Sequence, residues 1–196
     1  MDEKKMKAGP IIAVVSVVAV AAIATIFVVV PMFQPEIREI ELVMVDYGFN
    51  KPGFGPTLRV KAGEVVIVKL RNDGAQTHEF MIVPDKEKSL MMMKKVVNEI
   101  DERPVSEEEK LEIYDVEHHE VMERMMRMYD FSIEPEEVNS VPSMVMVTVE
   151  PGEEVSFRLV LSTPGTYWYV CQEAGGTWPV LHQEKGMEGK LIVEAA

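Results

Sequence analysis

Three stretches of different rhythm succeed one another in the apolar and polar positions of this chain. From Ile11 to Val30 there are 20 residues without a charge, and at about 1.5 Å per residue a helix of that length spans the hydrocarbon core of a bilayer. The run continues past Ala22-Ile23-Ala24 into Ile26, Phe27, Val28, Val29 and Val30. That favours an uncleaved transmembrane helix over a removed signal peptide, whose apolar core is usually only about 7 to 15 residues long. Lys4, Lys5 and Lys7 precede the span, so the positive-inside rule keeps that flank cytoplasmic and exports the rest.

The second rhythm is that of short strands. Ile40, Leu42 and Met44 alternate within Ile37 to Asp46, and Tyr47 to Pro56, rich in Gly and Pro, reads as a loop. Two segments then share one design. Thr57 to Glu64 runs through Gly63 into Val65 to Leu70, and Met146 to Glu153 runs through Gly152 into Val155 to Leu161. Each is a strand, a glycine turn and a second strand. Further strands are predicted at His78 to Val83, Thr166 to Val170 and Lys190 to Glu194, a spacing that predicts an all-β sandwich. The third rhythm lies between Pro84 and Pro142, where Glu, Lys, Met and Leu replace β-branched residues and one or two helices are expected. Ser106 with Glu109 has the spacing of a capping box. Beyond it, Leu111, Tyr114, His118, Met122, Met125 and Tyr129 fall on one helical stripe. The resulting division is a cytoplasmic flank at 1-9, an anchor at 10-33 and one sandwich domain at 34-196, with a Met-rich helical insertion at about 85-142.

Charge narrows the partners. The chain carries 33 acidic against 20 Lys and Arg, a net charge of −13. The flank, with three lysines against Asp2 and Glu3, is positive, which leaves −14 on the exported part. Nucleic acid, which needs a basic surface, is excluded as a partner, and a basic protein surface is favoured. Cys171 is the only cysteine, so no internal disulfide exists and no cysteine near the N-terminus can take a lipid.

The surroundings of Cys171 suggest its chemistry. Within 17 residues the chain offers Cys171, His182 and Met187, and thiolate, imidazole and thioether are the donors of a trigonal copper site with a weak axial sulfur. His78, at the start of a strand reached through the Asn72-Asp73-Gly74-Ala75 turn, is placed to supply the fourth donor. At the axial position Glu184, Gln183 or a backbone carbonyl remain open alternatives to Met187. Zinc is disfavoured because a thioether is an unusual ligand for it. Val170, Trp178, Pro179, Val180 and Leu181 are candidates for an apolar surround.

These residues carry a family likeness. Leu58 to Val83, with its glycine turn, Asn72 and Thr77-His78-Glu79-Phe80, resembles the first half of a cupredoxin, the plastocyanin and azurin group. Val149 to Val193, with Pro-Gly-Glu, Pro-Gly-Thr-Tyr and Cys…His…Met-Glu-Gly, resembles the second half. The resemblance implies a Greek-key β-sandwich, one copper ion cycling between Cu(I) and Cu(II) on His78, Cys171, His182 and Met187, and one-electron transfer without catalysis. For an anchored chain it implies a place on the extracytoplasmic side of a prokaryotic cell membrane, exchanging electrons with redox proteins such as a cytochrome complex or a terminal oxidase. Two departures stand out. The ten residues between Cys171 and His182 resemble the longer ligand loops of copper nitrite reductases, and the Met-rich insertion is foreign to the family's core. His118, Met122 and Met125 could hold a second, cuprous ion, although an amphipathic helix with methionine filler is the plainer reading. With 15 methionines, copper storage or delivery is the competing function.

Overall fold

The structure, a computed structural model, describes residues 37–127 and 146–196, without the side chains of 122–127. The predicted anchor and its flank, and residues 128–142 of the insertion, lie outside the described residues. Among those described, no helix is long and apolar enough to cross a membrane.

Alternation builds the first strands. In β1 (Arg38–Val45) Ile40, Leu42 and Met44 turn inward, and in β4 (Val65–Asn72) Val66, Val68 and Leu70 do the same. The two pair in parallel, Ile40 opposite Val68. Between them come β2 (Gly48–Phe49), a two-residue strand inside what the sequence presents as loop, and β3 (Leu58–Lys61). Both residues of β2 are buried, which the Gly and Pro around them conceal. Next along the chain are β5 (His78–Val83), the helices α1 (Lys86–Asp101) and α2 (Glu107–Arg127), β6 (Met146–Val149), β7 (Glu154–Val160), β8 (Gly165–Val170) and β9 (Glu188–Glu194).

The described strands form two sheets, in the order β2-β1-β4-β7 and β3-β9-β8-β5-β6. Each of the two glycine turns carries the chain from one sheet to the other: β3 leads into β4 and β6 into β7, always from the five-stranded to the four-stranded sheet. Gly63 (φ +76°) and Gly152 (φ +79°) take the left-handed conformation that these crossings need. The likeness of the two segments in sequence is thus a likeness of role.

The core between the sheets holds Leu42, Leu70, Phe80, Phe157 and Tyr169 among others, and includes Cys171 and Met187. A second apolar cluster lies on the outer face of the five-stranded sheet, where Met81, Val83 and Val170 meet Met93, Val97 and Ile100 of α1 and Tyr114 of α2. The insertion is therefore a cover laid over a sheet face. It leaves β5 buried at all six positions, on both of its faces. Asp85 caps α1 by accepting from the Lys88 amide, and Ser106 and Glu109 cap α2 reciprocally, as the spacing predicts.

Gly189 on β9 lies opposite Tyr169 of β8, and a Cβ there would come within 2.1 Å of the tyrosine ring. Gly189→Ala must displace a ring at the centre of the core, and is expected to lower stability by about 1–3 kcal/mol in a denaturant titration. A change inside experimental error would show that the β8–β9 contact yields more readily than this packing allows.

Candidate metal centre

At one end of the sandwich the chain brings three donors together. His78 opens β5, Cys171 directly follows β8, and His182 opens a 3-10 turn (His182–Lys185) before β9. Their approach depends on local bonding. Asn72, fully buried, donates from its side-chain amide to the carbonyls of Gln76 and Val149 at 2.8 Å each and accepts from the Gly74 amide at 2.9 Å. This ties the turn before His78 to β6. The residues between Cys171 and His182 close on themselves: the His182 amide donates to the Glu173 carbonyl, the Thr177 amide to Ala174 and the Val180 amide to Thr177. The Cys171 amide donates to the Met187 carbonyl at 3.0 Å, so the two ends of the excursion meet.

The resulting geometry is that of a metal site. The two imidazole Nδ1 atoms are 3.2 Å apart, and Cys171 Sγ lies 3.5 Å from His182 Nδ1 and 4.0 Å from His78 Nδ1. The circumcentre of a triangle with those sides lies about 2.1 Å from each corner, within the ~2.0–2.3 Å typical of nitrogen and sulfur ligands to a first-row metal ion. All three residues are fully buried. Among the described residues they are the one group of three such side chains whose donor atoms converge in this way.

Electrostatics prepares the donors. Burial, and then the neighbouring His182, pulls the His78 pKa down to about 4, and burial lowers that of His182. Both rings are therefore neutral near pH 7, the state in which imidazole binds a metal. The His182 Nε2–H donates to the Gly175 carbonyl at 2.9 Å, which leaves Nδ1 free to face the thiol. Tyr47 sets its ring edge against His182, with centroids 5.2 Å apart. The Nε2 of His78 lies 3.7 Å from Asp46 Oδ1, beyond hydrogen-bonding range. Burial pushes the Cys171 thiol well up, so an incoming cation has to displace its proton. The Glu79 amide, donating to Sγ at 3.3 Å, is placed to stabilise the thiolate.

The fourth predicted donor, Met187, is fully buried in the same core cluster as Cys171. Its two side-chain rivals are occupied elsewhere. Gln183 accepts from Gln172 and donates to Glu188, while Glu184 bonds Lys94 and the Leu181 amide. Of the expected apolar surround, Val170, Leu181 and part of Trp178 belong to the outer cluster with the helices, and Pro179 is exposed. The thiol is instead enclosed by the sandwich core. His118 is buried against Glu79, with Nε2 3.4 Å from Oε2. The side chains of Met122 and Met125 lie outside the described residues. Burial alone would lower the His118 pKa, but the Glu79 carboxylate outweighs it and raises the value. Nearby, burial and then the Glu79 charge lift Glu173 to about 8. Glu79 does not stand out as a functional residue in the sequence; the signal lies in the apolar Phe80-Met81-Ile82-Val83 that follows it in a strand buried at every position, which leaves its carboxylate with nowhere to reach water.

A His2Cys trigonal set fits one copper ion. The site and the sandwich agree with what the resemblance to the cupredoxins implies. No family model matches the chain, and no curated protein matches it in sequence. Among solved structures, dithionite-reduced auracyanin from the photosynthetic bacterium Roseiflexus castenholzii is 18% identical, with a TM-score of 0.46 over 80% of this chain and 96% of that one. Auracyanin A, described as a "blue" copper protein from Chloroflexus aurantiacus, is 20% identical, with a TM-score of 0.46 over 80% and 98%. A copper-containing nitrite reductase from Thermus scotoductus is 20% identical, at 0.42 over 81% of this chain and 28% of that one. The chemistry of the site is carried by the donor triangle itself.

Gly74 marks the tightest point near the site, since a Cβ there would lie 2.6 Å from Asp46 Oδ1 and 2.9 Å from His78 Nε2. Gly74→Ala is expected to push His78 from its position and weaken metal binding by roughly 10–100-fold, the usual cost of disturbing a ligand's support. Competition with a chelator measures this, and unchanged affinity would show that His78 is held from elsewhere.

Proposed function

We propose that this protein is a mononuclear copper electron carrier, tethered by its N-terminal segment to the extracytoplasmic face of a prokaryotic membrane and serving a respiratory chain. The observation that carries the reading is the buried triangle of His78 Nδ1, His182 Nδ1 and Cys171 Sγ, with sides that suit one ion. Copper, when bound, supplies a one-electron couple. The protein's part is to keep its donors in place through both oxidation states. His78 is held by a strand and a turn pinned by Asn72, and Cys171 and His182 by a loop bonded to itself. Little reorganisation is then needed as an electron arrives or leaves, and the buried setting keeps water from the metal. Met187 is the axial donor on this reading. The redox partner, a cytochrome complex or terminal oxidase, would present a basic face to the acidic exported domain.

Purified protein loaded with copper is expected to absorb strongly in the visible through thiolate-to-copper charge transfer, and to bleach with a reductant. Cys171→Ser should abolish the band while leaving the melting temperature within a few degrees of the parent. A colourless copper-loaded protein, or a Cys171→Ser variant that keeps its colour, refutes the carrier reading. Copper stoichiometry separates it from storage or delivery: one ion per chain is expected, and several would favour the competing function.

The tether rests on the uncharged run of residues 11–30 and has its own test. Full-length protein should sediment with membranes and resist an alkaline carbonate wash; release into the supernatant would overturn it.

A further inference from the structure

The residue next in sequence after each of the three donors is gripped by polar side chains, and the grip leads to the insertion. After His78 comes Glu79, whose carboxylate lies 3.4 Å from His118 Nε2 on α2. After Cys171 comes Gln172, whose carbonyl accepts from Tyr114 Oη on α2 at 2.5 Å and whose amide donates to Ser89 Oγ on α1 at 2.7 Å. After His182 comes Gln183, which accepts from that same Gln172 amide at 2.9 Å and donates to the Lys86 carbonyl at the start of α1 at 3.3 Å. Glu79, Ser89, Gln172, His118 and Gln183 are all buried.

Polar groups withdrawn from water are costly, and each hydrogen bond among them fixes the backbone that carries it; Gln172 and Gln183 are bonded in this way, whereas the Glu79 carboxylate and His118 face each other at 3.4 Å. Alternation along β5 turns His78 toward the metal and Glu79 toward the helices, so the two faces of one strand couple the site to its cover. The Glu79 amide, itself bonded to Cys171 Sγ at 3.3 Å, closes the circuit.

We propose that the helical insertion is the outer coordination shell of the metal centre: it holds Gln172 through Tyr114 and Ser89, faces Glu79 with His118, and reaches Gln183 through the Lys86 carbonyl and Gln172, and thereby sets donor geometry and reduction potential. Tyr114, Ser89 and His118 are positioning residues, since none reaches the donor triangle. The effect on potential rests on the copper-carrier reading, whereas the effect on donor geometry does not.

The test compares Tyr114→Phe and His118→Gln with Leu111→Ala, which removes only packing from the same helix. In the metal-free full-length protein, amide exchange at Glu79, Cys171 and His182 should speed up by about five- to tenfold in Tyr114→Phe, the effect of losing one buried hydrogen bond, and likewise in His118→Gln, which removes the ring that faces the Glu79 carboxylate at 3.4 Å. Leu111→Ala should leave the ratio of these rates to those of β4 unchanged. In the copper-loaded protein, Tyr114→Phe and His118→Gln should shift the visible band, and His118→Gln should lower the potential because an uncompensated Glu79 charge favours oxidised copper. Exchange indistinguishable from wild type in both variants overturns the proposal. So does altered exchange with an unchanged band and potential in a coloured protein. A wild type that stays colourless with copper defeats the carrier reading alone, and exchange still decides the outer-shell role. Should either variant fail to fold, Ser89→Ala cuts the Gln172 link with little loss of volume and carries the same exchange and band expectations.

Discussion

The antiparallel register between β5 and β8 is the constraint on which the remainder depends. Met81 lies opposite Val170 and Ile82 opposite Tyr169, which sets the first residue beyond β8 beside the beginning of β5. Because side chains alternate in a strand, a slip of one position would turn Cys171 out toward the helices and leave both histidines facing an apolar core. The register is held from two directions. Phe80 stacks on Tyr169 inside the sandwich, with centroids 5.6 Å apart. Outside it, Met81, Val83 and Val170 pack beneath the helices. Pairing of this kind is specified strongly because neither face is left to solvent.

Burial on both faces also explains why each face of β5 places one polar residue beside two apolar ones. The inward face of β5 gives His78, Phe80 and Ile82 to the sandwich, and its outward face gives Glu79, Met81 and Val83 to the insertion. A carboxylate in that outward row would cost several kcal/mol if left alone. The His118 ring faces it, with Nε2 3.4 Å from Oε2, so the outward turn of the strand and the placement of α2 meet in one contact.

Much of this was legible in the residues. Cys171, His182 and His78 declared themselves through donor chemistry and spacing, the two glycine turns through their flanks, and α2 through Ser106 and Glu109. What stayed hidden was non-local. Nothing near Gly63 or Gly152 says that the chain changes sheets there, because a glycine turn has the same composition whether it closes a hairpin or bridges two layers. Gly48–Phe49 is too short for any periodicity to register. The stripe containing Tyr114 and His118 was visible as a face, but which surface it meets is fixed by folding of the whole domain. Glu79 and Gln172 owe their importance to partners 39 and 58 residues away, beyond the range of any local pattern.

The excursion from Cys171 to Met187 begins and ends on a single backbone hydrogen bond, and the amides of Thr177, Val180, His182, Glu184, Gly186 and Met187 donate to carbonyls within it. Such a segment behaves as a cassette. Residues can be gained or lost between its fixed ends without disturbing the strands that deliver them, since loop closure grows only slowly more costly with length. Evolution can therefore retune one side of the centre by resizing this loop, while the scaffold that presents His78 is inherited unchanged.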